Sequence, residues 1–298
     1  MRAFLLRASC CVVSALMLAA VGARAQQIAF TWDDLPVHAA LPANTTRVEI
    51  GRKLIAATKA AHLPPVYGFV NGVQVEREPL SEPMLREWRA AGFPLGNHAW
   101  SHMNLNENSL EAWEADVLKN EPVLRKYAGD SDWHWLRYPY VATGDTPEKR
   151  AAARKFLAEH GYRIADVTMS FNDWLYGDPY ARCMAVHDTA AIEKLKESYL
   201  KMADEEIDHA RAVSKAVYGR EIPYVLLMHV GALDAEMLPQ LVELYKKRGF
   251  TFVTLEEAEK DPAYASDLNP ALPETVRKPN GPVPPQPTPD LDLNAICR

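Results

Sequence analysis

The 298-residue chain lacks the features of a membrane protein, a nucleic-acid binder or a disulfide-framed domain. Its one long apolar run, Cys10 to Val21, is shorter than the roughly 20 residues that a helix needs to cross a bilayer, so no stable membrane span is expected. Four cysteines are too few for a disulfide framework, and Cys10 and Cys11 lie inside that run. No basic run follows the first 25 residues, which argues against nucleic acid or another polyanion as partner. A Gly-x-Ser-x-Gly elbow is missing. Ser198-Tyr199-Leu200-Lys201 does match Ser-x-x-Lys, but it lies in a helical stretch without the Ser-Asp-Asn and Lys-Thr-Gly elements that accompany that motif in serine hydrolases.

The apolar run follows Arg2 and Arg7 and precedes Ala23-Arg24-Ala25, the pattern of a secretory signal peptide cut after Ala25. Export to the periplasm or the extracellular space is expected. Cleavage removes three arginines and no acid, so the formal charge falls from −6 to −9, with 30 basic residues against 39 acidic. A composition 48% hydrophobic and 24% charged suits a globular chain with a sizeable core. Cys183 and Cys297 remain where disulfides form, and they can pair or stand as two unrelated thiols. Oligomeric state cannot be read from the residues.

Seven short apolar runs alternate with helical patterns, which points to an α/β protein with a largely parallel sheet. The runs are Ile28–Trp32, Val66–Val70, Phe93–Leu95, Trp135–Arg137, Tyr162–Val167, Tyr224–Met228 and Phe250–Val253. Thr46-Arg47-Val48-Glu49 reads as a capping box opening the first helix. Between about Thr189 and Val217, apolar residues at spacings of three and four predict a long helix along a barrel wall. From Asn269 to Asp290 the chain carries eight of its 22 prolines, so an extended tail is expected there.

In α/β folds chemistry sits at the carboxyl ends of strands, and polar residues collect there. The first strand ends in Thr31-Trp32-Asp33-Asp34, the third runs into Asn97-His98-Ala99-Trp100-Ser101-His102, and the fourth gives Arg137-Tyr138-Pro139-Tyr140. Asn172-Asp173-Trp174 follows the fifth, and Leu227-Met228-His229 ends the sixth. Singly, each has an ordinary explanation: a capping aspartate pair, a solvated histidine pair, a surface ion pair, a satisfied core histidine. Together, Asp34, His98 and His102 make a two-His, one-carboxylate set, the ligand number of a catalytic Zn2+ or similar ion. In an extended strand Asp33 and Asp34 point to opposite faces, so a bend at Asp34-Leu35-Pro36 is needed to turn the other carboxylate toward the site as a base. His38, His62, His134, His160, His187 and His209 lie in no comparable setting and are read as structural or solvated.

The order and spacing of these pieces resemble the polysaccharide deacetylase family, also called the NodB-homology family or carbohydrate esterase family four. Its Thr-Phe-Asp-Asp corresponds to Thr31–Asp34, its His-x-x-x-His to His98–His102, its Arg-x-Pro-Tyr to Arg137–Tyr140, its Asp-Trp to Asp173-Trp174 and its Leu-x-His to Leu227–His229. The resemblance implies a distorted (β/α) barrel of about seven strands and the hydrolysis of acetyl groups on a glycan. It divides the chain into a signal peptide (1–25), a catalytic domain (26–266) and a proline-rich tail (267–298). It implies one divalent metal, Zn2+ first and Co2+, Ni2+ or Mn2+ as alternatives, held by Asp34, His98 and His102. Asp33 would be the base, with Arg137 orienting it. The Tyr140 N–H would stabilise the oxyanion, and His229, oriented by Asp173, would be the acid. Trp174, Pro139, Tyr138 and Leu227 would line the substrate pocket, and Trp100, Trp133 and Trp135 could also stack on sugars.

Three positions depart from the family pattern. Leu35 replaces a glycine and is expected to narrow the mouth above the metal, Ala99 removes a hydroxyl that ties down the His loop, and Ser170 replaces an aspartate, leaving open which group orients Arg137 and His229. An acetylated glycan, most simply one with N-acetylglucosamine units, is the implied partner. Hydrolysis of O-acetyl esters, of a cyclic imide or of a ureide on the same fold is the alternative activity, and a secreted carbohydrate-binding protein without turnover is the non-enzymatic one.

Overall fold

The computed structural model describes residues 26–36, 38–275 and 277–298, and the signal peptide expected at 1–25 lies outside them. Among the described residues no helix is long and apolar enough to cross a membrane.

Seven strands form in the expected order: β1 (Gln26–Leu35), β2 (Tyr67–Val70), β3 (Leu95–Asn97), β4 (Trp135–Leu136), β5 (Arg163–Ile164), β6 (Tyr224–His229) and β7 (Phe250–Phe252). All pair in parallel, in the order β5-β4-β3-β2-β1-β6, with β7 against the first residues of β1. β1 is buried from Ile28 onward and β6 throughout, as strands covered on both faces must be, which is why both read as nearly unbroken apolar runs. Past β5 the chain returns to β6 through a parallel bridge between Met169 and Leu226, so the sheet curls into the distorted (β/α) barrel that the resemblance implies. Parallel strands in one curled sheet bring their carboxyl ends to one rim.

The helices start where the residues say they should. Thr46 Oγ1 accepts from Glu49 N at 3.2 Å while Glu49 Oε2 accepts from Thr46 N at 2.7 Å, closing the capping box of the helix Arg47–Ala60. The long helix spans Thr189–Tyr218, capped by Asp188 through Ala191 N at 2.9 Å and ended by Gly219 at φ 70°, a left-handed position that glycine takes without strain. It buries Ile192, Leu195, Tyr199, Ala203, Ile207 and Ala210.

The proline-rich segment folds back along this helix. Arg277 pairs with Asp166 and Asp267. Asn280 N donates to Ala216 O at 2.8 Å, Gln286 Nε2 to Ser170 O at 3.0 Å, and Asp290 accepts from Ser198 Oγ at 2.7 Å and Lys201 Nζ at 2.8 Å. Cys297 ends the path in a disulfide with Cys183, their Cα atoms 5.1 Å apart, so of the two readings open for these cysteines the structure takes the paired one.

Candidate active site

Both carboxylates at the end of β1 face the site, and a local irregularity makes this possible. Asp34 sits at φ 62°, and the register of β1 against β2 shifts between Trp32 and Leu35. Such a bulge re-aims a side chain that strand alternation would send to the opposite face. The expected bend is therefore at Asp34 itself, inside the strand. Its second effect overturns the expectation for Leu35: this side chain is fully buried against Gly68 and Trp88, where the missing Cβ of Gly68 leaves it room, and it does not narrow the mouth.

Asp34 Oδ1 is buried and, among the described residues, has no hydrogen-bond partner. It lies 3.5 Å from His98 Nε2 and 3.4 Å from His102 Nε2. Two ligands each about 2.0–2.1 Å from an ion at the tetrahedral angle stand about 3.3–3.4 Å apart, so this spacing suits a Zn2+-sized cation. His98 Nδ1 is hydrogen-bonded to Arg137 O at 2.8 Å, which leaves Nε2 with its lone pair toward Asp34. Burial, then the like charge of His98, pushes His102 down to about 4 against the pull of Asp34 and Asp33, so it is neutral and ready to ligate at ordinary pH. Burial would raise Asp34, but the His38 hydrogen bond and the charge of His229 hold it well below the usual carboxylate range.

The loop carrying the two histidines lacks a hydroxyl at Ala99 and is held instead by three buried asparagines. Asn71 Nδ2 donates to His98 O at 2.5 Å and to Ala99 O at 3.1 Å, Ala99 N donates to Asn97 Oδ1 at 2.9 Å, and Asn120 Nδ2 donates to the same oxygen at 2.9 Å. Neither Asn71 nor Asn120 belongs to a motif, and nothing local in the sequence marks them.

Asp33 meets the buried Arg137, whose Nη1 donates to its two oxygens at 3.0 and 3.2 Å. Arg137 also donates to Thr31 Oγ1 at 2.9 Å, Ala165 O at 2.8 Å and Asp166 O at 3.3 Å. These acceptors answer the question raised by Ser170: the guanidinium is oriented without an aspartate there. Asp33 and His229 are register partners on adjacent strands, so their side chains share a face. Asp173, fully buried, takes His229 Nδ1 at 3.0 Å and the His229 N–H at 2.7 Å. Burial would lower the His229 pKa, but the charge and hydrogen bond of Asp173, with help from Asp34 and Asp33, raise it to about 10. Behind Asp173, burial and the Asp173 charge push Asp234 well above the carboxylate range, and Tyr199 donates to it at 2.8 Å.

The other expected residues divide. Tyr140, 66% exposed and at φ 57° in the turn after β4, lies with its ring 4.4 Å from that of His102. Trp174 is 47% exposed on the turn that follows Asp173. Tyr138, by contrast, is buried and stacked on Trp113 with ring centroids 5.3 Å apart, so it belongs to the core and does not line a substrate pocket. Pro139 and Leu227 are also buried. Trp133 and Trp135 are core residues, and Trp100 is half-buried beside Lys119, so of the four tryptophans offered for sugar stacking Trp174 alone presents a broad face. His38, read as structural or solvated, is in the site: its Nδ1 meets Asp34 Oδ2 at 2.7 Å and its ring lies 4.5 Å from that of His229. Four-residue spacing from Asp34 was the only available signal.

Residues 20–165 match the family model described as polysaccharide deacetylase. No curated protein matches the chain. Among solved structures, the chain is similar to one described as T48 deacetylase with substrate, at 20% identity and a TM-score of 0.53, over 79% of this chain and 92% of that one. It is similar to the chitin deacetylase of the fungal pathogen Colletotrichum lindemuthianum, at 21% identity and a TM-score of 0.54, over 78% and 86%. A CE4 family pseudoenzyme from Bacillus anthracis matches at 14% identity and a TM-score of 0.54, over 79% and 66%. At these identities the likeness is one of fold.

Proposed function

Because the chain belongs to the polysaccharide deacetylase family, we propose that it is a metal-dependent hydrolase that removes acetyl groups, most simply N-acetyl groups of N-acetylglucosamine units, from a glycan. The observation that carries this reading is Asp34 Oδ1, without a partner among the described residues and between two imidazoles, on the same rim as a buried Asp33–Arg137 pair and a buried His229–Asp173 pair. Asp34, His98 and His102 would hold the ion, which when bound polarises a carbonyl and acidifies water.

The chain's own groups supply the rest. Asp33, anchored by Arg137, accepts the proton of the attacking water. The N–H of Tyr140, whose ring packs against that of His102, would donate to the oxyanion of the tetrahedral intermediate. His229, kept protonated by Asp173, returns a proton to the departing amine. Tyr140 and Trp174, the exposed aromatics near the rim, would flank the sugar. A binding protein without turnover needs neither an anchored base nor a protonated acid. With the Leu35 side chain in the core, the cyclic-imide alternative gains nothing from a mouth narrowed at that position.

Export fits this assignment. The apolar run before Ala25 has the form of a signal peptide, and a disulfide between Cys183 and Cys297 suits an oxidising compartment. The test is to offer the Zn2+-loaded protein N-acetylglucosamine oligomers, peptidoglycan, acetylxylan and a cyclic imide. Acetate release from the oligomers is expected. Imide opening without acetate release, or glycan retention with no turnover, would replace the proposed reaction.

A further inference from the structure

A carboxylate that binds an ion through one oxygen must have its other oxygen held, or it swings. His38 Nδ1 is 2.7 Å from Asp34 Oδ2, while Oδ1 faces His98 and His102. The loop that carries His38 is tied down at His38, Ala39 and Ala40. His38 N donates to Val230 O at 3.3 Å, Arg47 Nη1 donates to His38 O at 3.3 Å and Ala39 O at 2.6 Å, and Ala40 N donates to Asp178 Oδ1 at 2.9 Å. Arg47 is itself fixed by Glu78 at 3.1 and 3.2 Å. A solvated loop histidine requires none of these tethers. The ring also stands between the two halves of the site, against Asp34 on one side and His229 on the other.

We propose that His38 is a positioning residue of the metal site, donating from Nδ1 to Asp34 Oδ2 so that Asp34 presents Oδ1 alone to the ion. This rests on the metal-dependent reading above. Outer hydrogen-bond partners of metal ligands are typically worth about 10–100-fold in metal affinity, because they fix the ligand's orientation and basicity. The second triad with ligand spacing, Asp34, His38 and His229, shares its one carboxylate, Asp34, with the first.

The experiment measures Zn2+ affinity by competition with a chromophoric chelator, and the Co2+ absorption spectrum, for the wild type, His38→Ala and His38→Asn. Asparagine places its side-chain N–H about where Nδ1–H stands. His38→Ala should bind Zn2+ about 10–100-fold more weakly with an altered Co2+ spectrum, and His38→Asn should recover most of the affinity. Equal affinity in His38→Ala and wild type overturns the inference, as does an asparagine variant no better than alanine, which would mark a packing role. A wild type that binds Zn2+ but releases no acetate overturns the deacetylase reading and leaves the His38 comparison standing. A wild type that holds no ion overturns both.

Discussion

The two sides of the site meet the cost of buried charge differently. On the proton-transfer side each carboxylate has a partner of opposite charge: Asp33 has Arg137 and Asp173 has His229, all within hydrogen-bond distance and all buried. On the ligand side Asp34 is bonded through one oxygen while the other is buried without a partner among the described residues, and the neighbouring imidazoles reach it only at 3.4–3.5 Å. A native fold rarely leaves a buried carboxylate oxygen unpaired, so the gap calls for a cation. The paired side is complete as folded; on the proposed reading the ion would complete the ligand side.

The comparison predicts that the ligand side fails first and most fully. His98→Ala leaves two protein ligands, and bound Zn2+ should fall below roughly a tenth of an equivalent, with activity lost alongside it. Metal analysis of the purified variant checks this, and stoichiometric Zn2+ in His98→Ala would mean that the ion sits elsewhere. On the other side, Asp33→Asn should retain the ion and lose about 10²–10⁴ in turnover. It should also lower stability, by about 3–5 kcal/mol if no other group relaxes, because Arg137 then stays buried without its counter-charge. Thermal unfolding separates that cost from the catalytic one.

His229 tests the paired side more finely. His229→Ala should cost about 10²–10⁴ on an N-acetyl sugar and much less on a nitrophenyl acetate, whose leaving group needs no proton. Equal losses would make His229 an orienting group. Because its pKa is raised from 6.5 to about 10, the donor form is present below that value and is lost as pH rises through it, so on the proposed mechanism His229 should govern the alkaline limb of the pH profile. A bound cation lowers the limb from there, and Asp173→Asn should lower it further. By the same sign, the His229–Asp173 pair contributes stability below pH 6.5 that fades as pH approaches about 10.

The smallest expected effect on chemistry comes from outside both sides. Cys183→Ser opens a disulfide across 114 residues and should cost about 2–4 kcal/mol, read as a lower Tm, while turnover on a small ester changes little. A large loss of turnover would mean that the folded-back tail shapes the site.

Much of this was legible along the chain. The strand order, the long helix and the helix caps follow from apolar periods and local hydrogen-bonding residues, which act over a few positions. Asp33, Asp34, His98, His102, Arg137, Asp173 and His229 were recognisable because each falls at a strand end in a fixed order. The aromatic misreadings share one cause. Tyr138, expected to line the pocket, and Trp133 and Trp135, expected to stack on sugars, lie next to polar motif residues in one dimension, but an aromatic side chain in an apolar run gives no sign of whether it faces the rim or the core.

Residue types, their order and their spacing by themselves determined an α/β chain with a largely parallel sheet and the polar residues at its strand ends, since hydrophobic period and strand ends are local properties; the barrel was implied by the family resemblance that those residues carry. Tertiary structure alone decided the direction and pairing of those side chains. The positive φ at Asp34 turns two neighbouring carboxylates into one site, Arg137 reaches Asp33 across 104 residues, and a tethered loop brings His38 onto Asp34. Buried charges must find partners wherever the fold brings them, and that search ends between residues far apart in the chain, beyond the reach of any local pattern.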